Sequence, residues 1–486
     1  MLSRIADGTM NALATTLAKA GNCAHPVRLA GRSDTVDAHS GEILKTFRSV
    51  DQPMGLLYKP CGNRREQVCP ACSRIYARDT FELISTGLHG GKGVPAAVNS
   101  NPLLFVTLTA PSFGRVHGVR DGRAWCHPGA RGERCSHGRR TACWARHAAE
   151  DSVIGAPLCP ECYDTMSATV WQWHAPELWR RFTIALRRHL ATLIGVQDRE
   201  LAHHGRLEYA KVAEFQARGL VHFHALVRID GPDGPGSPAP VSAATLEAAV
   251  RAAASAVALT APPVDGGDVE RALRFGTQTD VRIVRDGRTD CEITAEQVAA
   301  YLAKYATKSS GVDPRNPVPH LVRLVDSCRA LAARALADCP FGCGKRAFER
   351  RPRLCGRCAR NPYALLGRWS AMLGFRGHFS TKSRHYSVTL GALRRARYRF
   401  QRLGIERHRL ASALEPRELE ARLMTDDEES TLVVAAWAYM GSGWPRSGDK
   451  VLADAAASRA REFARWRAEQ RRRTSTTSGG KTSGGT

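Results

Sequence analysis

"GLVHFHALVRID", residues 219–230, places two histidines one residue apart in an otherwise largely apolar run. Successive side chains of a β-strand point to opposite faces, so residues 222 and 224 share a face. The run therefore predicts a strand on which His222 and His224 can meet one ligand. A buried histidine is also a common core residue, so this pair alone leaves a metal site and a structural role equally open.

The preceding stretch, "HGRLEYAKVAEFQARG" (204–219), predicts the other strand of a hairpin, with Gly219 in the turn. A turn centred on Arg218 would place Glu214 opposite His222, because cross-strand partners then sum to a constant. One carboxylate beside two imidazoles is a suitable donor set for a divalent cation. Glu208 is the reserve ligand, although the same register places it opposite Arg228.

A pair of tyrosines is the second candidate feature. "YLAKYATK" (301–308) lies in a segment rich in helix formers, so Tyr301 and Tyr305 fall one turn apart on one face. Lys304 and Lys308 lie beside them. A phenol with a pKa of ~10 becomes a useful nucleophile only with help from a base, a cation or a metal-polarised electrophile. Without such help, this spacing is that of ordinary helix packing.

Charge indicates the class of partner. The 486 residues include 71 Lys and Arg against 46 Asp and Glu, a net charge of +25, with 43% hydrophobic residues. A folded, basic chain suits a polyanion, and nucleic acid fits better than a membrane because no apolar run approaches the ~18 residues of a spanning helix. The N-terminus lacks the pattern of a secretory signal, so we expect a cytoplasmic protein with reduced cysteines.

The fifteen cysteines predict structural Zn²⁺ sites, because three C-x2-C pairs occur among them. The expected zinc ribbon consists of Cys339, Cys343, Cys355 and Cys358. A second predicted set is Cys135, Cys143, Cys159 and Cys162, for which Cys126, His127, His137 and His147 compete. A third set needs a fourth ligand, for which Cys23 is preferred over His25, to join Cys61, Cys69 and Cys72. Cys291 and Cys328 are expected to be ordinary thiols.

Composition and spacing divide the chain into five predicted segments. An N-terminal region with a cysteine knuckle (1–98) precedes a core of 99–311, which contains a Cys/His-rich insertion at 124–163. A zinc-ribbon module (312–362), a basic helical region (363–472) and a flexible tail (473–486) follow. The basic region interleaves Arg with aromatics in "RRARYRFQRLGIERHR" and "RAREFARWRAEQRRR", which suits DNA contact but equally suits a solvated helix face.

Three stretches in order resemble the motifs of the HUH endonucleases, the family of rolling-circle replication initiators and their relatives. They are "FVTLTAP" (105–111), "VHFHALV" (221–227) and "YLAKYATK" (301–308), so the likeness spans roughly residues 100–310. The two tyrosines resemble the subgroup typified by the A protein of small single-stranded DNA phages. The cysteine modules and "GFRGHFSTKSRHYSVTLGALR" (374–394) look like replication initiators of actinobacterial plasmids and integrative conjugative elements.

This resemblance implies an α+β fold with a central antiparallel sheet that carries the first two motifs, elaborated by zinc modules and a basic helical C-terminal region. It implies that His222 and His224 hold Mg²⁺ or Mn²⁺ on a phosphate and that Tyr305 attacks it, leaving a 5′-phosphotyrosine and a free 3′-OH. Tyr301 would act at the end of the round. The implied partners are single-stranded or supercoiled origin DNA and a host helicase and polymerase, since the chain has no G-x4-G-K-[ST] phosphate loop.

Two alternatives remain at this stage. A conjugative relaxase or transposase would share the chemistry, although relaxases of this superfamily usually place the tyrosine near the N-terminus, ahead of the histidines. A zinc-dependent DNA-binding regulator without catalysis would use His222 and His224 as structural residues and the tyrosines as core.

Overall fold

The computed structural model describes residues 2–120, 124–285, 295–307, 317–346, 353–402, 414–425 and 431–478. Its helices are α1 Leu2–Ala6, α2 Met10–Lys19, α3 Pro70–His89, α4 Thr165–Leu193, α5 Leu201–His204, α6 Ala243–Ala256, α7 Ala295–Thr307, α8 Pro319–Ala335, α9 Cys343–Arg346, α10 Gly356–Ala359, α11 Leu390–Arg402, α12 Pro416–Met424 and α13 Ser447–Ser478. Its strands are β1 Val27–Asp37, β2 Ile43–Arg48, β3 Leu57–Lys59, β4 Leu103–Leu108, β5 Arg206–Phe215, β6 Val221–Asp230, β7 Leu259–Ala261, β8 Arg271–Leu273, β9 Thr279–Arg285, β10 Ser380–Lys382 and β11 Thr431–Ser442.

These elements form two compact units. One combines residues 1–82 with 307–309 and 390–486, and the other contains 83–306 and 310–389. The expected α+β class with a central antiparallel sheet is confirmed, because the second unit contains a five-stranded sheet in the order β10-β5-β6-β4-β9 in which every described pairing is antiparallel. The stretches 105–108 and 221–227 lie on its neighbouring strands β4 and β6.

The core of this second unit lies on one face of the five-stranded sheet. Helix α4 begins at Asp164, whose side chain accepts the N–H of Ser167 at 2.9 Å, as expected of an N-cap. Its buried aromatic residues then pack under the sheet, where the rings of Trp179 and Phe223 lie 5.6 Å apart. The Ala-rich helix α6 packs beside α4 and against β4 and β9. This apolar layer covers one face of the sheet, and the opposite face carries polar residues among apolar ones, with Phe105 stacked on His224.

The first unit contains a sheet in the order β11-β1-β2, with β3 also paired to β1. Strand β11 corrects an expectation, since the sequence pattern predicts a helical region over residues 363–472. "TLVVAAWAYMGS" is rich in β-branched and aromatic residues, which favour a pleated strand, and it pairs antiparallel with β1 from Val27↔Ser442 to Asp37↔Thr431. Helix α13 continues to Ser478, into the segment expected to be a flexible tail.

Candidate active site

The β5–β6 hairpin has the register that the sequence predicted. Glu214 pairs with His222, and Glu208 pairs with Arg228. The turn closes when the N–H of Gln216 donates to the carbonyl of Leu220 at 2.9 Å. Gly219 has a φ of +83°, and a Cβ there would lie 2.6 Å from a methyl carbon of Leu324, so only glycine fits this turn without strain. The turn therefore sets which side chain faces His222.

Alternation along β6 explains the two histidines in an apolar run. Val221, Phe223 and Ala225 are fully buried in the core, whereas His222 and His224 point to the opposite face. On that face His224 is the cross-strand neighbour of Thr107 of β4. The histidines therefore do not replace core residues. They occupy the second face of a strand whose first face builds the core.

The side chain of His224 is in contact with residues of two other strands and of helix α7. Its Nε2 lies 3.0 Å from Glu214 Oε2, and its Nδ1 lies 3.1 Å from Thr107 Oγ1. The ring stacks parallel to that of Phe105, with the centroids 5.8 Å apart, and meets the ring of Tyr301 edge to face at 5.4 Å. Glu214 and Thr107 thus fix the orientation of the ring from two strands, and Tyr301 brings helix α7 against it.

His222 lies in a different environment. It lines a cavity of about 660 Å³ together with Thr109, Arg218 and Phe275, whereas His224 lines a cavity of about 460 Å³ together with Tyr301. Burial and the neighbouring His224 lower the pKa of His222 to about 3, so its ring is neutral at physiological pH. Its buried Nε2 has no hydrogen-bond partner among the described residues. An orphaned nitrogen of a neutral imidazole is a free ligand atom.

The three predicted metal ligands are neighbours but do not form a closed group. The ring centroids of His222 and His224 are 5.9 Å apart. In the described parts of the chain, four sets of His, Cys, Asp or Glu side chains bring all their ligand atoms within 4.8 Å of one another, and none of these sets includes His222. The carboxylate of Glu214 faces His224 rather than standing between the two rings.

Arg218 connects the hairpin to the end of β4. Its guanidinium donates to the carbonyls of Ala110 and Pro111 at 2.8 and 2.9 Å. It also donates to the side chain of Gln216 at 2.8 Å. From the sequence, Arg218 is predicted only as the centre of the turn, and nothing in the spacing indicates that its side chain binds Ala110 and Pro111.

The structure places only part of the predicted nucleophile segment. Tyr301 lies on α7 with its ring against His224 and Phe105, and Lys304 is exposed on the same helix. The side chain of Tyr305 and all of Lys308 lie outside the described residues, as does Cys291. The described contact between the helix and the histidine strand is therefore made by the first tyrosine of the pair.

Thirteen of the fourteen described cysteines, all but Cys328, lie in four groups of four potential ligands, and none of the described cysteines forms a disulfide. Two groups have the membership that the sequence suggested, including the choice of Cys23. They are Cys23, Cys61, Cys69 and Cys72, and Cys339, Cys343, Cys355 and Cys358. Within them the sulfurs of Cys23 and Cys69 are 3.7 Å apart and those of Cys339 and Cys355 are 3.8 Å apart. These are the separations of thiolates that share one tetrahedral zinc ion.

The insertion after β4 requires a correction, because the predicted set of Cys135, Cys143, Cys159 and Cys162 is divided between two groups. One is His117, Cys126, Cys143 and His147, and the other is Cys135, His137, Cys159 and Cys162. Cys126, His137 and His147 are among the competing ligands expected from the sequence, whereas His117 is not. His127, the remaining competitor, directs its Nε2 to the carbonyl of Val116 at 2.7 Å. The groups could hold zinc, so the insertion offers two metal sites rather than one.

Part of the basic C-terminal region has internal partners. In the first unit, the guanidinium groups of Arg394 and Arg397 on α11 form ion pairs with the buried carboxylate of Asp79 on α3. Arg399 donates to the carbonyls of Leu423 and Thr425. These arginines hold helices together. On α13, by contrast, the aromatic rings of Phe463 and Trp466 stack at 5.7 Å on an exposed surface.

Comparisons with known proteins agree with one another. A profile of the family described as "Replication initiator protein, pSAM2" (RepSA) matches residues 9–458. A replication initiator protein of Streptomyces ambofaciens is 38% identical over 454 residues, which cover 90% of this chain and 87% of that protein. No solved structure gives a significant match. In the described ranges, no helix is long and apolar enough to cross a membrane.

Proposed function

Since the chain belongs to the RepSA family of replication initiator proteins, we propose that it starts rolling-circle replication by nicking and rejoining one strand of origin DNA through a 5′-phosphotyrosine. The observation that carries this proposal is the packing of the tyrosine helix on the histidine strand, with the rings of Tyr301 and His224 5.4 Å apart. A nucleophile and a phosphate-binding cation must meet within a few ångströms for phosphoryl transfer, and this contact brings their two elements together.

His222, His224 and Glu214 would hold Mg²⁺ or Mn²⁺, and three features of the donor set support this assignment. Within the part of the chain that the structure describes, the buried Nε2 of His222 has no hydrogen-bond partner, and burial keeps its ring neutral. Glu214 Oε2 and His224 Nε2 are 3.0 Å apart. Neighbouring ligands of an octahedral Mg²⁺ at 2.0–2.1 Å are about 3 Å apart, which matches this separation. The cation would act as a Lewis acid on the scissile phosphate and as a template for its orientation.

The two tyrosines divide the chemistry in this proposal. The phenolic oxygen of Tyr305 attacks the phosphorus, the bond from phosphorus to the 3′ oxygen breaks, and the 3′-OH becomes the primer for DNA synthesis. Tyr301, one helical turn earlier, attacks the newly made junction at the end of the round while Tyr305 is still linked. Lys304 and Lys308 neutralise phosphate or phenolate charge. Thr107, which contacts the other ring nitrogen, keeps the His224 ring in one orientation throughout.

The partners follow from what such a reaction needs. A free 3′-OH requires a DNA polymerase, and the absence of a phosphate-loop motif from the sequence assigns strand separation to a helicase of the host. The substrate would be single-stranded or supercoiled origin DNA in the cytoplasm. The two all-cysteine groups would hold zinc as structural sites, because their ligand sets are closed.

The direct test incubates the full chain with origin-containing single-stranded DNA and Mn²⁺ and resolves the products on a denaturing gel. We expect a covalent protein–DNA band that Tyr305→Phe abolishes, while Tyr301→Phe still nicks but fails to complete strand transfer. Tyr439→Phe, at an exposed tyrosine of β11, is the matched control and should behave as wild type. His224→Ala should remove cleavage with every divalent metal.

Two outcomes would change the proposal. Loss of nicking in Tyr301→Phe, with nicking retained in Tyr305→Phe, would reverse the order of the nucleophiles. Tight duplex binding without cleavage in any divalent metal would identify a zinc-dependent DNA-binding regulator instead.

A further inference from the structure

We propose that His117, Cys126, Cys143 and His147 bind a structural zinc ion, and that this site and its neighbour form a cross-braced two-zinc module that builds one wall of the His222 cavity. The four ligand atoms lie within 4.8 Å of one another. His117 Nδ1 is 3.2 Å from His147 Nε2, and Cys143 Sγ is 3.4 Å from the same nitrogen. Tetrahedral zinc with Zn–N near 2.0–2.1 Å and Zn–S near 2.3 Å separates its ligands by about 3.3–3.8 Å.

The surroundings of the ligands are those of a metal site. His147 directs its other ring nitrogen, Nδ1, at Asp151 Oδ2, 3.1 Å away. Zinc-bound histidines commonly donate this second N–H to a carboxylate, which fixes the tautomer and the ring orientation. The backbone N–H of Gly118 lies 3.4 Å from Cys126 Sγ, as a donor to a thiolate would. A chance cluster of two imidazoles and two thiols needs neither contact.

The neighbouring group supplies the second metal. Cys135, His137, Cys159 and Cys162 also place their ligand atoms within 4.8 Å of one another, and His137 Nδ1 is 3.3 Å from Cys162 Sγ. Along the chain the ligands alternate in pairs between the two sites. Residues 117 and 126 belong to the first site and 135 and 137 to the second. Residues 143 and 147 then belong to the first site and 159 and 162 to the second. Each ion therefore closes a loop that contains two ligands of the other, so the two sites form as one module.

The module touches the candidate active site. His117 and Gly118 line the same cavity as His222. The backbone N–H of His117 donates to the carbonyl of Ala156, and the N–H of Gly155 donates to the carbonyl of His117, both at 2.8 Å. Gly155 packs on the hairpin turn so closely that a Cβ would lie 2.3 Å from the carbonyl carbon of Ala217. His117 is thus a positioning residue whose zinc ligation would fix the part of the cavity wall that packs on the turn. This functional part of the inference rests on the proposed nicking activity.

The first experiment counts zinc in the purified full chain by inductively coupled plasma mass spectrometry. We expect His117→Gln to lose at least one zinc per chain relative to wild type, and both zinc ions of the insertion if the two sites form only together. His127→Gln, the matched control in the same insertion, should lose none, because His127 contacts a backbone carbonyl. Cys126→Ser should also lose at least one zinc, and Cys126→His, which keeps a ligand, should retain it. An unchanged zinc content in both His117→Gln and Cys126→Ser would refute the proposal that these residues bind zinc.

A second readout does not depend on any variant. Thiol titration of the denatured, chelated wild-type chain should find all fifteen cysteines reduced. A titre two thiols short, with a disulfide between Cys126 and Cys143 in a peptide map, would overturn the proposal.

The link to the cavity has its own measurement. Nicking of origin DNA should fall about 10-fold in His117→Gln and stay unchanged in His127→Gln, as expected for the loss of a supporting contact. Rescue of nicking in Cys126→His but not in Cys126→Ser would show that metal ligation is responsible. Equal nicking in all these variants would refute the positioning role of His117. Whether the four residues bind zinc is decided separately by the zinc count. A wild-type chain that never nicks would refute the proposed function and leave the zinc result standing.

Discussion

Lys211 is an unusual residue at the centre of the fold. It lies on β5 with its side chain directed into the core, where its Nζ donates to the carbonyl of His378 at 2.8 Å and lies 5.1 Å from the ring centre of Phe223. Burial lowers its pKa from 10.5 to about 7. The strand that presents Glu214 on one face therefore presents a desolvated amine on the other.

This residue should make stability depend on pH. Because the pKa of Lys211 is lower in the folded chain than in the unfolded chain, the unfolded chain binds more protons between about pH 7 and 10.5, and stability rises with pH across this window. Lys211→Met removes the effect. The stability advantage of the variant over wild type should therefore shrink from pH 7 to pH 9.5 by up to about 3 kcal/mol, measured by thermal unfolding. Lys345→Met, at an exposed lysine, should show no such trend. Parallel pH profiles for wild type and Lys211→Met would mean that the buried amine keeps its charge.

At the scale of elements, the open end of the β5–β6 hairpin is held by a buried ion pair. Arg228 donates to Asp230 at 2.8 Å, and both side chains are fully buried. The guanidinium also donates to the carbonyl of Gly87 at the end of α3, and Asn101 donates to Asp230 at 2.6 Å. The network ties the hairpin to α3 and to the loop before β4, and so fixes the strand that carries the histidines from the end opposite the turn.

Breaking this network should be costly. Asp230→Ala leaves the Arg228 guanidinium buried without its carboxylate, and we expect a loss of about 3–5 kcal/mol in the free energy of unfolding. The double variant Arg228→Met, Asp230→Leu should recover much of it, because it removes the uncompensated charge. The control is Asp280→Ala, whose partner Arg282 is exposed, and which should cost under about 1 kcal/mol. Similar melting temperatures for Asp230→Ala and Asp280→Ala would contradict this account.

The hairpin register could be predicted from the sequence, whereas the zinc groups of the insertion and strand β11 could not. The hairpin register followed from local rules, because a short turn and a period of two leave one pairing that buries Phe223 and exposes His222 to Glu214. The two zinc groups of the insertion did not follow from local rules, because ligands that alternate between two sites are not neighbours along the chain. His117 was missed for the same reason. Strand β11 was missed because its partner, β1, lies some four hundred residues earlier.

At the scale of the whole molecule, a net charge of +25 should dominate DNA affinity. Each phosphate that the protein neutralises releases counterions, so the logarithm of affinity should fall linearly with the logarithm of salt concentration. With six or more phosphate contacts, binding to single-stranded DNA should weaken by at least about 300-fold between 50 and 200 mM NaCl. Fluorescence anisotropy with origin DNA and with a scrambled sequence should give parallel slopes. Salt-independent affinity would mean that the charge serves only solubility.

The pairing of β1 with β11 has a consequence for how the chain is made. The ribosome completes residues 83–389 before it reaches 431–442, so the unit built mainly from this middle stretch can fold while β1 still lacks its long partner. The N-terminal segment cannot complete its packing until Trp444 has been synthesised, because Trp444 stacks on Tyr58 and donates to the carbonyl of Cys23. A ribosome that stalls or terminates before residue 431 would release a chain with its five-stranded sheet assembled and its other sheet unfinished. Premature termination would therefore yield a half-folded polypeptide that quality-control proteases can recognise by an unpaired strand.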